Sequence, residues 1–123
     1  MKLITAEIKK KLPLTSEIKD SENAPIIVKF FGGSSYRLYV IAGDVYLKDK
    51  DAPVRYSEVT DESQIEDIHL YGYVTGLQVD EWGYTSFNEL SAIKFPPFNL
   101  PVERDLHWDM KNTVKRVIAK EIY

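Results

Sequence analysis

Glu103, Asp105 and His107 stand at alternate positions of the run VERDLHW, Val102–Trp108. On an extended strand successive side chains leave opposite faces, so three alternating residues share one side a few ångströms apart. Two carboxylates and an imidazole suit Mn²⁺ or Mg²⁺, and a metal held there would activate water for phosphodiester hydrolysis. The competing reading is an ordinary polar face, on which Glu103 and Asp105 answer Arg104, lysines or backbone N–H groups. The metal reading demands that all three side chains converge on one point. It also needs a cation for phosphate. By alternation Arg104 faces the wrong way, leaving Arg37 or a C-terminal lysine.

The second chemical cluster is EVTDESQIED, with Glu58, Asp61, Glu62, Glu66 and Asp67. A calcium loop would need a central glycine and alternating ligands, and both are missing. The plain reading is a solvated loop or helix turn. The sharper one is an acidic surface that imitates a phosphate backbone and occupies the nucleic-acid channel of another protein. Other motifs carry less. Gly32-Gly33-Ser34-Ser35 lacks the Lys-Ser/Thr pair and following helix of a phosphate loop, so it reads as a hairpin turn. Lys9, Lys10 and Lys11 read as a solvated helix end, and His69 as a packed residue among tyrosines. Tyr71 and Tyr73 share a strand face that could stack bases, but without basic neighbours a covering helix explains them better. There is no Gly-x-Ser-x-Gly elbow and no cysteine nucleophile. No cofactor is expected.

The composition narrows the function classes. Across 123 residues, 44% hydrophobic and 28% charged, the chain is an ordinary globular protein, expected as a single domain over 1–123. Sixteen basic residues against nineteen acidic ones give a net charge of −3, which argues against nucleic acid as the main ligand. The absence of cysteine excludes disulfides and suits a reducing cytoplasm. No apolar run is long enough to span a membrane, and the N-terminus shows no secretory h-region with a cleavage site.

The elements that must position these residues follow from periodicity. Ile68–Thr75 alternates Ile68, Leu70, Gly72 and Val74 against His69, Tyr71, Tyr73 and Thr75, the pattern of a central strand covered on both faces. Val79–Tyr84 reads as an acidic turn whose positive φ falls on Gly83. Ser86 then caps a short helix near 86–94, with Glu89 completing a capping box and Phe87, Leu90 and Ile93 facing the core. Earlier, Thr5 caps a helix over Ala6–Leu12 that Pro13 stops. Pro25–Phe31, with Ile26, Val28 and Phe30 on one face, pairs with Tyr36–Ala42 across the Gly-Gly-Ser-Ser turn. Gly43-Asp44 turns the chain again, and Val45–Lys48 and Val54–Val59 read as short strands around DKDAP. In Lys94–Pro101 three prolines with interleaved apolar residues predict a wrap over the core plugged by Phe95, Phe98 and Leu100. Asp109 caps a C-terminal amphipathic helix over Met110–Ile122, with Val114, Val117, Ile118 and Ile122 as its apolar stripe. The sum is an α+β fold: a mainly antiparallel sheet of about four to six strands with an N-terminal, a central and a C-terminal helix.

Lys29-Phe30-Phe31, Tyr71-Gly72, Gly76-Leu77, Glu81-Trp82-Gly83-Tyr84 with Ser86 and Glu89-Leu90, and Leu100–Leu106 follow in a fixed order. This pattern, with the opening MKLIT…LP of Met1–Pro13, resembles a family of small proteins of unknown function carried by plasmids, phages and integrative elements. The resemblance implies a mobile-element setting and no established activity. Two function classes stay open. One is a non-enzymatic cytoplasmic accessory protein that binds another protein, such as a host defence complex it inhibits. The other is a metal-dependent nuclease or phosphodiesterase using Glu103, Asp105 and His107.

Overall fold

Strand β2, Tyr36–Leu47, runs through the middle of the molecule, and its alternation decides what lies on either side. The computed structural model describes residues 2–122, so Met1 of the opening segment lies outside the described residues. Beside β2 run β1, Val28–Gly32, and β3, Ile65–Thr75. Outside these lie β7, Glu103–Arg104, next to β1, and β4, Glu81–Ser86, next to β3. The order of this five-stranded sheet is β4-β3-β2-β1-β7, with every neighbouring pair antiparallel. The short strands β5, Lys94–Phe95, and β6, Leu100–Pro101, pair separately. The helices are α1, Ala6–Lys11, α2, Phe87–Ala92, and α3, Val114–Ile118. The fold is thus α+β and mainly sheet. No helix among the described residues is long and apolar enough to cross a membrane.

On the first sheet face Val28, Phe30, Tyr36, Leu38, Val40, Val45, Ile68 and Leu70 form a closed core with Ile8, Leu12 and Leu90 from the helical side. The second face carries a smaller core of Ile26, Tyr39, Ile41 and Ala42 with Val114 and Val117 of α3. A bulge between Val40 and Ala42 turns both Ile41 and Ala42 to this second face. Beyond it Gly43 and Val45 rejoin the first face, and the strand bends around the core. The β1–β2 hairpin and the alternation of Tyr36, Leu38 and Val40 against Tyr39 and Ile41 are as expected from sequence.

Several expectations are corrected. Ile26 lies in the second core, while Val28 and Phe30 lie in the first, because β1 begins only at Val28 and the preceding backbone binds the C-terminal segment. The Ile26 N–H donates to the Asn112 carbonyl at 2.9 Å. Gly43-Asp44 is no turn. It lies inside β2, where a Cβ on Gly43 would come within 2.4 Å of the Leu12 side chain. The Gly43 N–H donates to the Pro13 carbonyl at 2.8 Å, and the Asp44 carboxylate accepts from the Thr15 N–H and hydroxyl. Those bonds dock the segment that follows α1. Val45–Leu47 are the end of β2, Val54 makes one bridge to Val45, and Tyr56–Glu58 is a 3₁₀ turn.

Gly83 sits in mid-strand opposite Gly72, so the β3–β4 turn falls earlier, with its positive φ of 86° at Gly76. A Cβ on Gly76 would press on the Ser35 carbonyl, so glycine is required there on two counts. Of the expected plugs in Lys94–Pro101 only Phe95 is packed in, against Gly32, Gly33 and Tyr36, while Phe98 and Leu100 are exposed. The C-terminal helix is limited to Val114–Ile118. Asp109 caps a separate turn through the Lys111 N–H at 2.9 Å, and Asn112 and Thr113 pair with Pro25–Ile26, which takes their backbone out of any helix. Ile118 is consequently exposed. The Thr5 cap and the Ser86 cap form as expected, with Leu90 fully buried below the latter.

Candidate functional site

Lys29 is a lysine in an apolar strand, placed by alternation on the second face, directly opposite Tyr39. Its ammonium lies 5.8 Å from the centre of the Tyr39 ring and 5.7 Å from that of Trp108, and the side chain is only 11% exposed. Trp108 is held in place by its indole N–H, which donates to the Ile26 carbonyl at 2.8 Å. Burial between the rings lowers the Lys29 pKa. The Asp105 carboxylate, 3.9 Å away, pulls it back up, and the Arg37 charge pushes it down.

Asp105 is the hinge of this region. Its N–H continues the sheet by donating to the Lys29 carbonyl at 3.0 Å, after which the chain turns. The turn is closed by the His107 N–H, which donates to Asp105 Oδ1 at 3.0 Å. The strand therefore ends at Arg104, and the alternation expected to carry Glu103, Asp105 and His107 on one face breaks after two residues. Among the described residues no group of three or more His, Asp or Glu side chains is placed to hold a metal ion. What the sequence offered as a ligand set is an edge strand followed by an Asx-type turn.

The same residues line something else. Between the β1–β2 loop, Gly33–Ser35, and the 103–107 run lies a groove of about 440 Å³, walled by Lys29, Phe31, Arg37, Glu103 and Leu106. Phe31 pairs with both Arg37 and Glu103, so these three form one row across the sheet. Arg37 donates to the Ser35 carbonyl at 3.2 Å. Arg104, on the alternate side, donates to the Lys2 carbonyl at 3.1 Å.

The second face has another open part at the β4 edge. Tyr71 stacks on Trp82 at 5.8 Å and leans on Tyr84 at 4.9 Å, while Tyr73 meets Trp82 edge-on at 5.3 Å. No helix covers Tyr84, which is 59% exposed, and Leu77 and Val79 on the adjoining turn are exposed too. Burial, then the charges of Asp80 and Glu22, raise the Tyr73 pKa, so the surroundings of these rings are acidic.

The acidic run reaches the other end of β4 in ordered form. Asp61 caps a 3₁₀ turn, Glu62–Gln64, by accepting from the Ser63 N–H and hydroxyl. Glu62 accepts from the Tyr56 hydroxyl at 2.6 Å, and Glu58 lies 3.7 Å from Arg55. Asp67 lies inside β3, where its carboxylate accepts from the Ile68 N–H, the Asn88 N–H and the Ser86 hydroxyl. Glu58, Asp61, Glu62 and Glu66 remain exposed at the surface, whereas Asp67 is a structural clamp on α2.

Sequence reasoning located the 103–107 run and missed that Lys29 faces it. The available signal was one lysine inside PIIVKFF, which by itself is unremarkable in a strand. No curated protein and no solved structure matches the chain. The family described as "Protein of unknown function (DUF2958)" matches residues 57–120, a segment that holds the acidic run, the aromatic edge and the 103–107 turn. That match spans just over half of the sequence, and the chain belongs to this family.

Proposed function

We propose that this chain is a non-enzymatic binding protein that docks through the β4 edge onto a basic surface of another protein. The observation that carries the reading is the finish of that edge. Tyr84 and Glu81 are exposed on the strand that ends the sheet order, and Leu77, Val79 and Asp80 are exposed on the turn that leads into it. Apolar and aromatic side chains left in water on an unpaired sheet edge are what a protein interface buries. Acidic groups at both ends, Asp80 and Glu81 at one and Glu66 at the other, favour a cationic partner and repel a phosphate backbone. The capped turns of the acidic run support this by fixing the carboxylates before binding, which lowers the ordering cost.

The setting is that of a mobile genetic element in the cytoplasm, supported by the KFF, GYTS and LPVERD pattern and the absence of cysteine. A host defence complex, whose nucleic-acid channel is basic, is the class of partner that the charge fits, and the outcome is inhibition by occupancy. The test is capture of a partner from host lysate by the wild type, by Tyr84→Ala and by Asp80→Lys/Glu81→Lys. A single partner should be retained at low salt, released as salt rises, and lost in both variants. Equal retention by all three proteins would overturn the reading, as would retention of nothing at low salt.

A further inference from the structure

The groove beside Lys29 has a different character from the β4 edge, and it asks for a small ligand. Its volume of about 440 Å³ lies within the range of small-molecule pockets, and its walls combine apolar area from Phe31 and Leu106 with a few convergent polar groups. Lys29 and Arg37 are diagonal neighbours on adjacent strands of one face, since Lys29 pairs with Tyr39 and Arg37 with Phe31. Such pairs have Cα atoms roughly 7–8 Å apart, within reach of long side chains. Two like charges are thus held side by side while one of them is largely taken out of water. Asp105 lies 3.9 Å from Lys29, an ion pair on the wall of the groove. Apart from the bond to Ser35, the Arg37 guanidinium has no other partner among the described residues, so most of its donor fork is unspent. The Ser34 hydroxyl, on the loop that closes the groove, likewise has no partner among the described residues.

We propose that this groove binds a small molecule through an anionic group, a phosphate or a carboxylate, seated between Lys29, Arg37 and Ser34 with its body against Phe31 and Leu106. An anion there relieves the repulsion between the two cations and takes up the planar fork of Arg37, which matches both groups bidentately. Glu103, in the same row across the sheet, works against it and sets a limit on affinity. This inference is independent of docking at the β4 edge, which lies at the opposite side of the sheet order.

The experiment is an NMR titration of the full chain with inorganic phosphate and, separately, with acetate, at constant ionic strength held by sodium chloride. The amides of Gly33, Ser34 and Ser35 and the indole N–H of Trp108 report on the groove. Saturable shifts confined to these signals are expected, and which probe binds tenfold tighter assigns the group as phosphate or carboxylate; equal binding assigns either. Arg37→Ala should weaken binding at least tenfold with the rest of the spectrum unchanged, and Glu103→Gln should strengthen it several-fold. No saturable shift with either probe would overturn the proposal. Undiminished binding in Arg37→Ala would do the same, and so would weaker binding in Glu103→Gln.

Discussion

Leu38 and Tyr39 are neighbours in β2 and both are buried, yet they belong to surfaces finished in different ways. Leu38 faces a core closed by α1, the 3₁₀ turn at Tyr56–Glu58 and α2, with apolar side chains on every side. Tyr39 faces a strip roofed by Trp108 and the short α3 with Ile18 and Ala24 beside them, beyond which Arg37 and Tyr71 are half-buried and Tyr84 is exposed. The difference teaches where stability and function part company. The first face is selected by volume and should tolerate little. The second mixes rings, charges and incomplete cover, and both candidate surfaces lie on it.

The sharpest break of this comparison uses the two glycines that oppose each other across β3 and β4, Gly72 and Gly83. A Cβ on Gly72 would lie 2.0 Å from the Tyr39 carbonyl oxygen, a backbone atom that cannot step aside. A Cβ on Gly83 would meet nothing within 4 Å. Gly72→Ala should therefore cost more than about 4 kcal/mol or abolish folding. Gly83→Ala should be neutral or stabilise by up to about 1 kcal/mol, through the restricted unfolded chain. Urea denaturation of both variants checks this, and similar losses at the two sites would mean that β4 does not pair as described.

A milder comparison truncates one buried residue on each face. Leu90→Ala, under the closed face, should cost about 2–5 kcal/mol. Val114→Ala, under the open one, removes less apolar volume next to a short helix that can adjust, and about 1.5 kcal/mol is expected. If Val114→Ala costs as much as Leu90→Ala, the second face is as tightly built as the first.

The polar finish of the second face also makes part of its stability depend on pH. Partial burial alone would raise the Asp67 pKa, but the Ser86 hydroxyl and the Asn88 and Ile68 N–H groups together hold it below the ordinary carboxylate range. A depressed folded pKa contributes stability that is complete above the unfolded value of about 3.9 and is lost as pH falls through the folded one. Asp67→Asn should flatten the acid limb of stability against pH. Ser86→Ala, which loses both the helix cap and this partner, should cost about 1 kcal/mol at neutral pH. An acid limb unchanged in Asp67→Asn would place the titrating group elsewhere.

How far the sequence could be read follows the same division. Where one side chain meets one cover, periodicity suffices, as for Tyr36, Leu38 and Val40 or for Leu90 under its Ser86 cap. It fails where a distant segment decides. Gly43 carries a turn signal, yet it is in a strand because Leu12 needs the room. Met110–Thr113 reads as the first turn of the helix that Asp109 would cap, yet its end pairs with Pro25–Ile26. Gly83 and Gly76 are equally good turn residues in isolation, and only the close approach of Ser35 selects Gly76. At the site the sequence marks Glu103, Asp105 and His107 but not the turn that separates them, since Asp105 is held across the sheet by the distant Lys29 carbonyl while its carboxylate caps the turn that follows.

Lys29 gives the smallest expected effect and the finest test of how covered the second face is. Burial between Tyr39 and Trp108 puts its folded pKa below the unfolded value of about 10.4. Between those two values the unfolded chain binds more protons than the native one, so stability rises with pH across that window. Below the folded pKa both states carry the proton and the contribution is constant. Lys29→Met keeps the apolar stem and a sulfur that also packs on aromatic rings, but it cannot titrate. The stability difference between wild type and Lys29→Met, measured by urea denaturation from neutral pH upward, should be flat at first. It should then move in favour of the wild type as pH climbs toward about 10.4. A difference that stays flat throughout would mean that the ammonium is as wet as in the unfolded chain. Trp108 would then not roof Lys29, and the second face would be open from one edge of the sheet to the other.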